Sequence, residues 1–98
     1  MRTVAKTIRC RLELFGVPRL VVGRKAIDVV LPENATLADA VAAAAQTCPA
    51  LVGKAIAADG RLAEGYVLNL EGRSFCADLS RRVRDGETLL LLSDEAGG

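Results

Sequence analysis

Ninety-eight residues without a Pro/Gly/Ser-rich linker or a break in composition bound the chain to one small domain, expected over residues 1–92 with a flexible tail at 93–98. Hydrophobic residues make up 51% but aromatics 3%, and histidine is absent, so the core must be aliphatic, the commonest transition-metal ligand is missing, and no stacking platform for nucleic acid exists. Formal charge is +1, yet residues 1–25 carry seven basic side chains against Glu13 while residues 85–98 carry four acidic ones and no basic one, a polarity read as solvated faces rather than a nucleic-acid footprint.

The opening MRTVAKTIRCRLELFG is interrupted by Arg2, Lys6, Arg9 and Arg11, which gives no apolar run for a signal peptide, and no stretch approaches the roughly 20 apolar residues that span a bilayer. The cytoplasm is the expected compartment, with no membrane partner. Cys10, Cys48 and Cys76 are widely separated, without the paired spacing of a zinc site, redox motif or disulfide framework.

In KTIRCRLELFG, Ile8, Cys10, Leu12 and Leu14 alternate with Arg9, Arg11 and Glu13, which predicts a half-buried strand and makes Cys10 a small buried hydrophobe rather than a nucleophile. GVPRLVVGRK, with Gly16, Pro18 and Gly23, reads as the punctuation of a reversal, and AIDVVLP as a second strand closed by Pro32. The two should form a hairpin. ENATLADAVAAAAQTCP is the clearest helix, capped by Thr36 with Asp39 three residues on, and with Leu37, Ala40, Val41, Ala44 and Ala45 on one face. Pro49 ends it. A short second helix is expected in ALVGKAIAADGRLAEG, then a strand YVLNL, a tight turn at Gly72, a short return in SFCADL, a turn at Asp85-Gly86 and a final strand in ETLLLLS.

Two hairpins joined through a helix make an α+β domain, one helix across a mixed sheet. Parallel pairing of the first and last strands gives the ubiquitin-like β-grasp. A ferredoxin-like arrangement is the alternative, but it wants a second full helix.

The final strand is followed by SDEAGG. Beyond Ala96 this tail has no apolar side chain to anchor it, and six extended residues reach on the order of 20 Å. Without Cβ atoms, Gly97 and Gly98 can enter a passage too narrow for other residues. Such a carboxylate suits the role of a substrate: a poor acyl donor until a partner adenylates it, then open to attack by sulfur or an amine. With no phosphate-binding glycine loop in the chain, activation, ATP and Mg belong to that partner, and the chain itself carries neither catalytic residues nor a bound cofactor or metal. Along the last strand Leu89 and Leu91 face one way and Leu90 and Leu92 the other. Either Leu90, Leu92 and Phe15 form an exposed docking patch, or a loop, residues 49–65, covers them.

The segments LELFG, DVVLPENATLADAV, YVLNLEGR and VRDGETLLLLSDEAGG, in that order over residues 6–98, resemble the small sulfur-carrier proteins of the ubiquitin-like family, which include the small subunit of molybdopterin synthase and the thiamine-pathway sulfur carrier. The resemblance implies a β-grasp fold whose terminal glycine, here Gly98, is adenylated by a ubiquitin-activating-type adenylyltransferase and converted to a thiocarboxylate, with Gly97 and Ala96 entering the partner's active site. A molybdopterin-type member implies a second partner, the synthase large subunit, and sulfur delivery in molybdopterin (molybdenum or tungsten cofactor) biosynthesis. The alternatives are a ubiquitin-like modifier conjugated through Gly98 and a non-covalent β-grasp binding module.

Overall fold

In the computed structural model, which describes residues 6–94, Ile8, Cys10, Leu12 and Leu14 are buried on one face of strand β1 (Thr7–Leu14), and Arg9 and Arg11 stay exposed on the other. Strand β2 (Ala26–Pro32) repeats the pattern with Ile27, Val29 and Leu31 inward and pairs antiparallel with β1, Leu12 opposite Ile27. The connection between them is more than a reversal. It contains a six-residue helix, α1 (Val17–Val22), started by Pro18 in its first turn and stopped by Gly23 in the left-handed region at φ 77°.

Helix α2 (Leu37–Thr47) starts where the sequence places it, with a complete capping box: the Thr36 hydroxyl accepts the Asp39 N–H at 3.3 Å and the Asp39 carboxylate accepts the Thr36 N–H at 2.9 Å. Leu37, Ala40, Val41 and Ala44 are buried against the sheet, and these short side chains let the helix lie close to it. The expected second helix is corrected: Pro49–Leu51 forms one 3-10 turn and the rest of residues 49–65 is a chain of turns, with Gly53, Gly60 and Gly65 at positive φ. Repeated glycine reversals leave no run long enough to close a helical ladder.

Strands β3 (Tyr66–Leu70), β4 (Ser74–Cys76) and β5 (Glu87–Ser93) complete a five-stranded sheet in the order β2-β1-β5-β3-β4. The β3–β4 turn holds Glu71 and Gly72 at φ 59° and 75°. β5 lies centrally, parallel to β1 with Leu12 opposite Leu89, and antiparallel to β3 with Leu68 opposite Leu91. One main helix across a mixed sheet with first and last strands parallel is the ubiquitin-like β-grasp, and the lack of a second full-length helix among the described residues removes the ferredoxin-like alternative. β5 runs through Ser93, which is paired with Tyr66, and the Asp94 N–H donates to Gly65 O at 2.8 Å; regular pairing therefore continues into the segment expected to be tail.

One aliphatic cluster fills the space between sheet and α2. Leu12, Leu37, Leu68, Leu89 and Leu91 are almost wholly buried in it, and burial of each such side chain contributes roughly 1.5–3 kcal/mol. Leu51, Ala55 and Ile56 belong to the same cluster, so residues 49–65 close the helix side of the molecule.

The segment between β4 and β5 is stitched to the start of α2. Leu37 and Ala38, whose N–H groups have no partner inside the helix, donate to Arg81 O and Leu79 O, both at 2.9 Å, and Val83 N–H donates to Ala35 O at 2.9 Å. The same segment is tied to β5 by Glu87, whose nearly buried carboxylate takes the Arg81 guanidinium through two bonds, at 2.7 and 3.0 Å, and accepts the Arg84 N–H at 3.0 Å. Burial pushes the Glu87 carboxyl up, but the Arg81 hydrogen bond, the Arg84 N–H and the two arginine charges outweigh it and hold the group below its ordinary value.

Candidate functional site

Among the described residues nothing packs over the face of the sheet opposite α2. Because residues directly opposite one another share a face, the register places Glu13, Leu90, Asn69 and Phe75 in one row across β1, β5, β3 and β4. Val67 and Leu92 form the next row, and Phe15, whose N–H donates to Leu91 O at 3.2 Å, lies at its end just beyond β1. Phe75 is 54% exposed and Phe15 38%, while Leu90, Leu92 and Val67 are half-buried. The three residues Phe15, Leu90 and Leu92 thus share the open face, and residues 49–65 pack on the other side of the sheet and do not cover them. Val67 and Phe75 join them; alternation in YVLNL and SFC carried that signal, but only the register puts the two beside Leu92 and Leu90.

Asn69 sits in this row, 8% exposed, with its Oδ1 buried and without a hydrogen-bond partner. Flanked by Leu90 and Phe75, it is a polar atom held in an apolar strip, where an unmade hydrogen bond costs about 1–3 kcal/mol. No sequence pattern distinguishes it from an ordinary solvated asparagine.

Toward the other end, the open face turns charged. Arg9, Arg11, Glu13, Asp28 and Thr88 line a shallow groove of about 380 Å³. Arg11 and Asp28 pair across β1 and β2 at 3.1 Å with both side chains more than half exposed, a contact worth little in water. Beneath it Cys10 faces the core, and burial, then the Glu87 and Asp28 carboxylates, push its thiol up to about 12. It stays a neutral buried thiol at physiological pH, as the strand alternation predicts.

Because β1 and β5 are parallel, the end of β1, the helix α1 and the last residues of β5 are gathered at one end of the sheet. Asp94 is exposed there. Ala96, Gly97 and Gly98 lie outside the described residues. Among the described residues no group of three or more metal-ligating side chains is assembled, and no helix is long and apolar enough to cross a membrane.

No protein-family model matches the sequence, and no curated protein does. Solved structures do. The crystal structure of small archaeal modifier protein 1 from Haloferax volcanii is 27% identical and superposes with a TM-score of 0.77, over 92% of this chain and 99% of that one. The solution structure of small archaeal modifier protein 1 from Methanosarcina acetivorans is 16% identical, with a TM-score of 0.74 over 95% of this chain and 99% of the other. A Pyrococcus furiosus protein assigned as molybdopterin converting factor subunit 1 is 17% identical, with a TM-score of 0.67 over 88% of this chain and 97% of that one. The last two likenesses bear on fold, and the first on sequence as well. Over nearly its whole length the chain therefore has the fold of these small proteins, and it is similar in sequence as well to the archaeal modifier of Haloferax volcanii.

Proposed function

We propose that this protein is a sulfur carrier acting through the carboxylate of Gly98, in molybdopterin biosynthesis. The observation that carries the reading is the placement of β5: the central strand of a β-grasp sheet runs out beside an uncovered apolar face and leads, within a few residues, to Gly-Gly. A partner of the ubiquitin-activating type docks on Phe15, Leu90 and Leu92, takes Ala96, Gly97 and Gly98 into its active site, and uses ATP and Mg to join the Gly98 carboxylate to AMP with release of pyrophosphate. A sulfur nucleophile then attacks the acyl carbon, AMP leaves, and a thiocarboxylate remains. The likeness to a molybdopterin converting factor subunit supports delivery of that sulfur within a synthase whose large subunit supplies the catalytic groups. The intact mass of the protein after incubation with ATP, sulfide and such an activating enzyme tests this. An increase equal to replacement of one oxygen by sulfur is expected for the full chain and not after deletion of Gly97 and Gly98; no increase, with an enzyme that works on a control carrier, rejects it.

A second reading shares the adenylate and differs in the nucleophile. The 27% identity to an archaeal modifier protein favours attack by a lysine amine, giving an isopeptide bond from Gly98 to another protein. Recovery of peptides carrying a Gly98-linked lysine from cell lysate distinguishes this fate from sulfur transfer.

A further inference from the structure

Helix α1 turns Pro18, Val21 and Val22 toward the core and Leu20 away from it, so that Leu20 is 80% exposed, the most exposed large hydrophobic side chain among the described residues. A single exposed leucine is ordinary. Leu20 is set apart by its surroundings: with Arg19, Gly23, Arg24 and Lys25 it lines one groove of about 330 Å³. None of the three cations there has an ion pair among the described residues; Arg24 makes a contact from Nη2 to Cys48 Sγ at 3.3 Å, and the other carboxylate pairings of the fold lie elsewhere. Gly23 adds no side chain to fill the groove.

The position matters as much as the chemistry. Val17 is 45% exposed and follows Phe15 by two residues, so apolar positions run from half-buried Leu92 through exposed Phe15 and Val17 to Leu20, at the end of the sheet where β5 finishes. Asp94, exposed just past the end of β5, carries a negative charge at the same end of the sheet.

We propose that the α1 corner is a second docking surface, with Leu20 as the anchor inside a collar of Arg19, Arg24 and Lys25, for an acidic rim with an apolar socket on the enzyme that receives the tail. This rests on the function proposed above. Three cations that form no ion pair among the described residues are matched by carboxylates on the rim, and Leu20 is desolvated only by a socket. The same rim would repel exposed Asp94 at that end of the sheet, so docking is favoured through the basic side of the domain. Complementarity of this kind fixes register and speeds encounter more than it deepens affinity.

The test is the steady-state ATP–pyrophosphate exchange of a ubiquitin-activating-type adenylyltransferase from the same genome, with the full chain as substrate, comparing wild type, R19E/K25E and L20D. All three substituted positions are exposed, and thermal melting verifies that the variants fold. For wild type, KM should rise as salt goes from about 50 to about 300 mM. R19E/K25E should raise KM about tenfold with kcat unchanged and flatten that salt dependence, and L20D should raise KM without flattening it. Unchanged KM and unchanged salt dependence in both variants, with wild type turning over normally, overturn the docking surface and leave the carrier reading standing. Loss of binding to an RNA oligonucleotide or to anionic vesicles in the variants, with KM unaffected, assigns the corner to those occupants and overturns it too. Absence of exchange with wild type, by an enzyme active on a control carrier, rejects the carrier reading itself and the docking surface with it.

Discussion

At the scale of single residues, two buried polar groups behave oppositely. The Glu87 carboxylate has every contact it needs, and removing it by Glu87→Ala leaves the Arg81 guanidinium and the Arg84 N–H without their acceptor. Because Arg81 keeps 27% of its side chain in solvent, part of that loss is recovered by water, and a destabilisation of about 2 kcal/mol is expected in urea unfolding. The pH dependence follows from the same contacts. A carboxyl whose folded-state pKa lies below its ordinary 4.5 contributes stability that is present above that value and is lost as pH falls through the folded-state pKa. The stability of wild type should therefore drop on acidification below 4.5 more steeply than that of Glu87→Gln, and parallel curves would rule out this linkage. Asn69 is the reverse case, since its Oδ1 has nothing to lose. Asn69→Leu should raise the melting temperature by about 4–8 °C for each kcal/mol recovered; a lower melting temperature would mean that Asn69 is satisfied in solution by a contact the fold does not display.

At the scale of elements, the capping box of α2 is the clearest local device. Thr36→Ala removes the acceptor of the Asp39 N–H and is expected to cost about 1 kcal/mol, read as a shift of the urea midpoint with an unchanged slope. This helix was legible because capping residue, periodicity and terminating proline agree over the whole segment ENATLADAVAAAAQTCP. α1 was not, although Pro18 and Gly23 are a proper start and stop: six residues show less than two turns of periodicity, and two glycines with a proline read equally well as a reversal. Residues 49–65 misled in the other direction, because Leu51, Val52 and Ile56 mimic helical spacing while Gly53 and Gly60 break it. The open face was half-legible. Alternation separates Leu90 and Leu92 from Leu89 and Leu91, but whether residues 49–65 cover them depends on the side of the sheet to which that segment crosses, and no local pattern encodes it. The basic corner escaped notice for the same reason as α1, since Leu20 shows as exposed only once the helix is seen to turn Pro18 and Val21 inward.

At the scale of the whole molecule, the parallel pairing of β1 with β5 determines both shape and folding. Each contact between these strands joins residues more than 70 positions apart in the chain, so the decisive pairing forms only after a long loop closes. Folding in milliseconds to seconds is expected, rather than the microseconds of a helical bundle, and stopped-flow refolding measures it. In native-state hydrogen exchange the amides of β1 and β5 should be the last to exchange and those of the three-residue edge strand β4 the first. Equal rates in β4 and β5 would contradict a fold organised around its central pair.

That central strand is also the last of the five in the chain, so the ribosome makes it after its neighbours. A nascent chain that stops before Glu87 holds β1–β2 on one side and β3–β4 on the other, with no strand to join them and with Leu12 and Leu68 each missing a neighbour. Such a fragment lacks Leu89 and Leu91 from the middle of the aliphatic cluster, and its two halves are more open to proteases than the whole domain. Synthesis thus inspects itself: every copy that survives as a folded domain already contains the strand from which the tail departs.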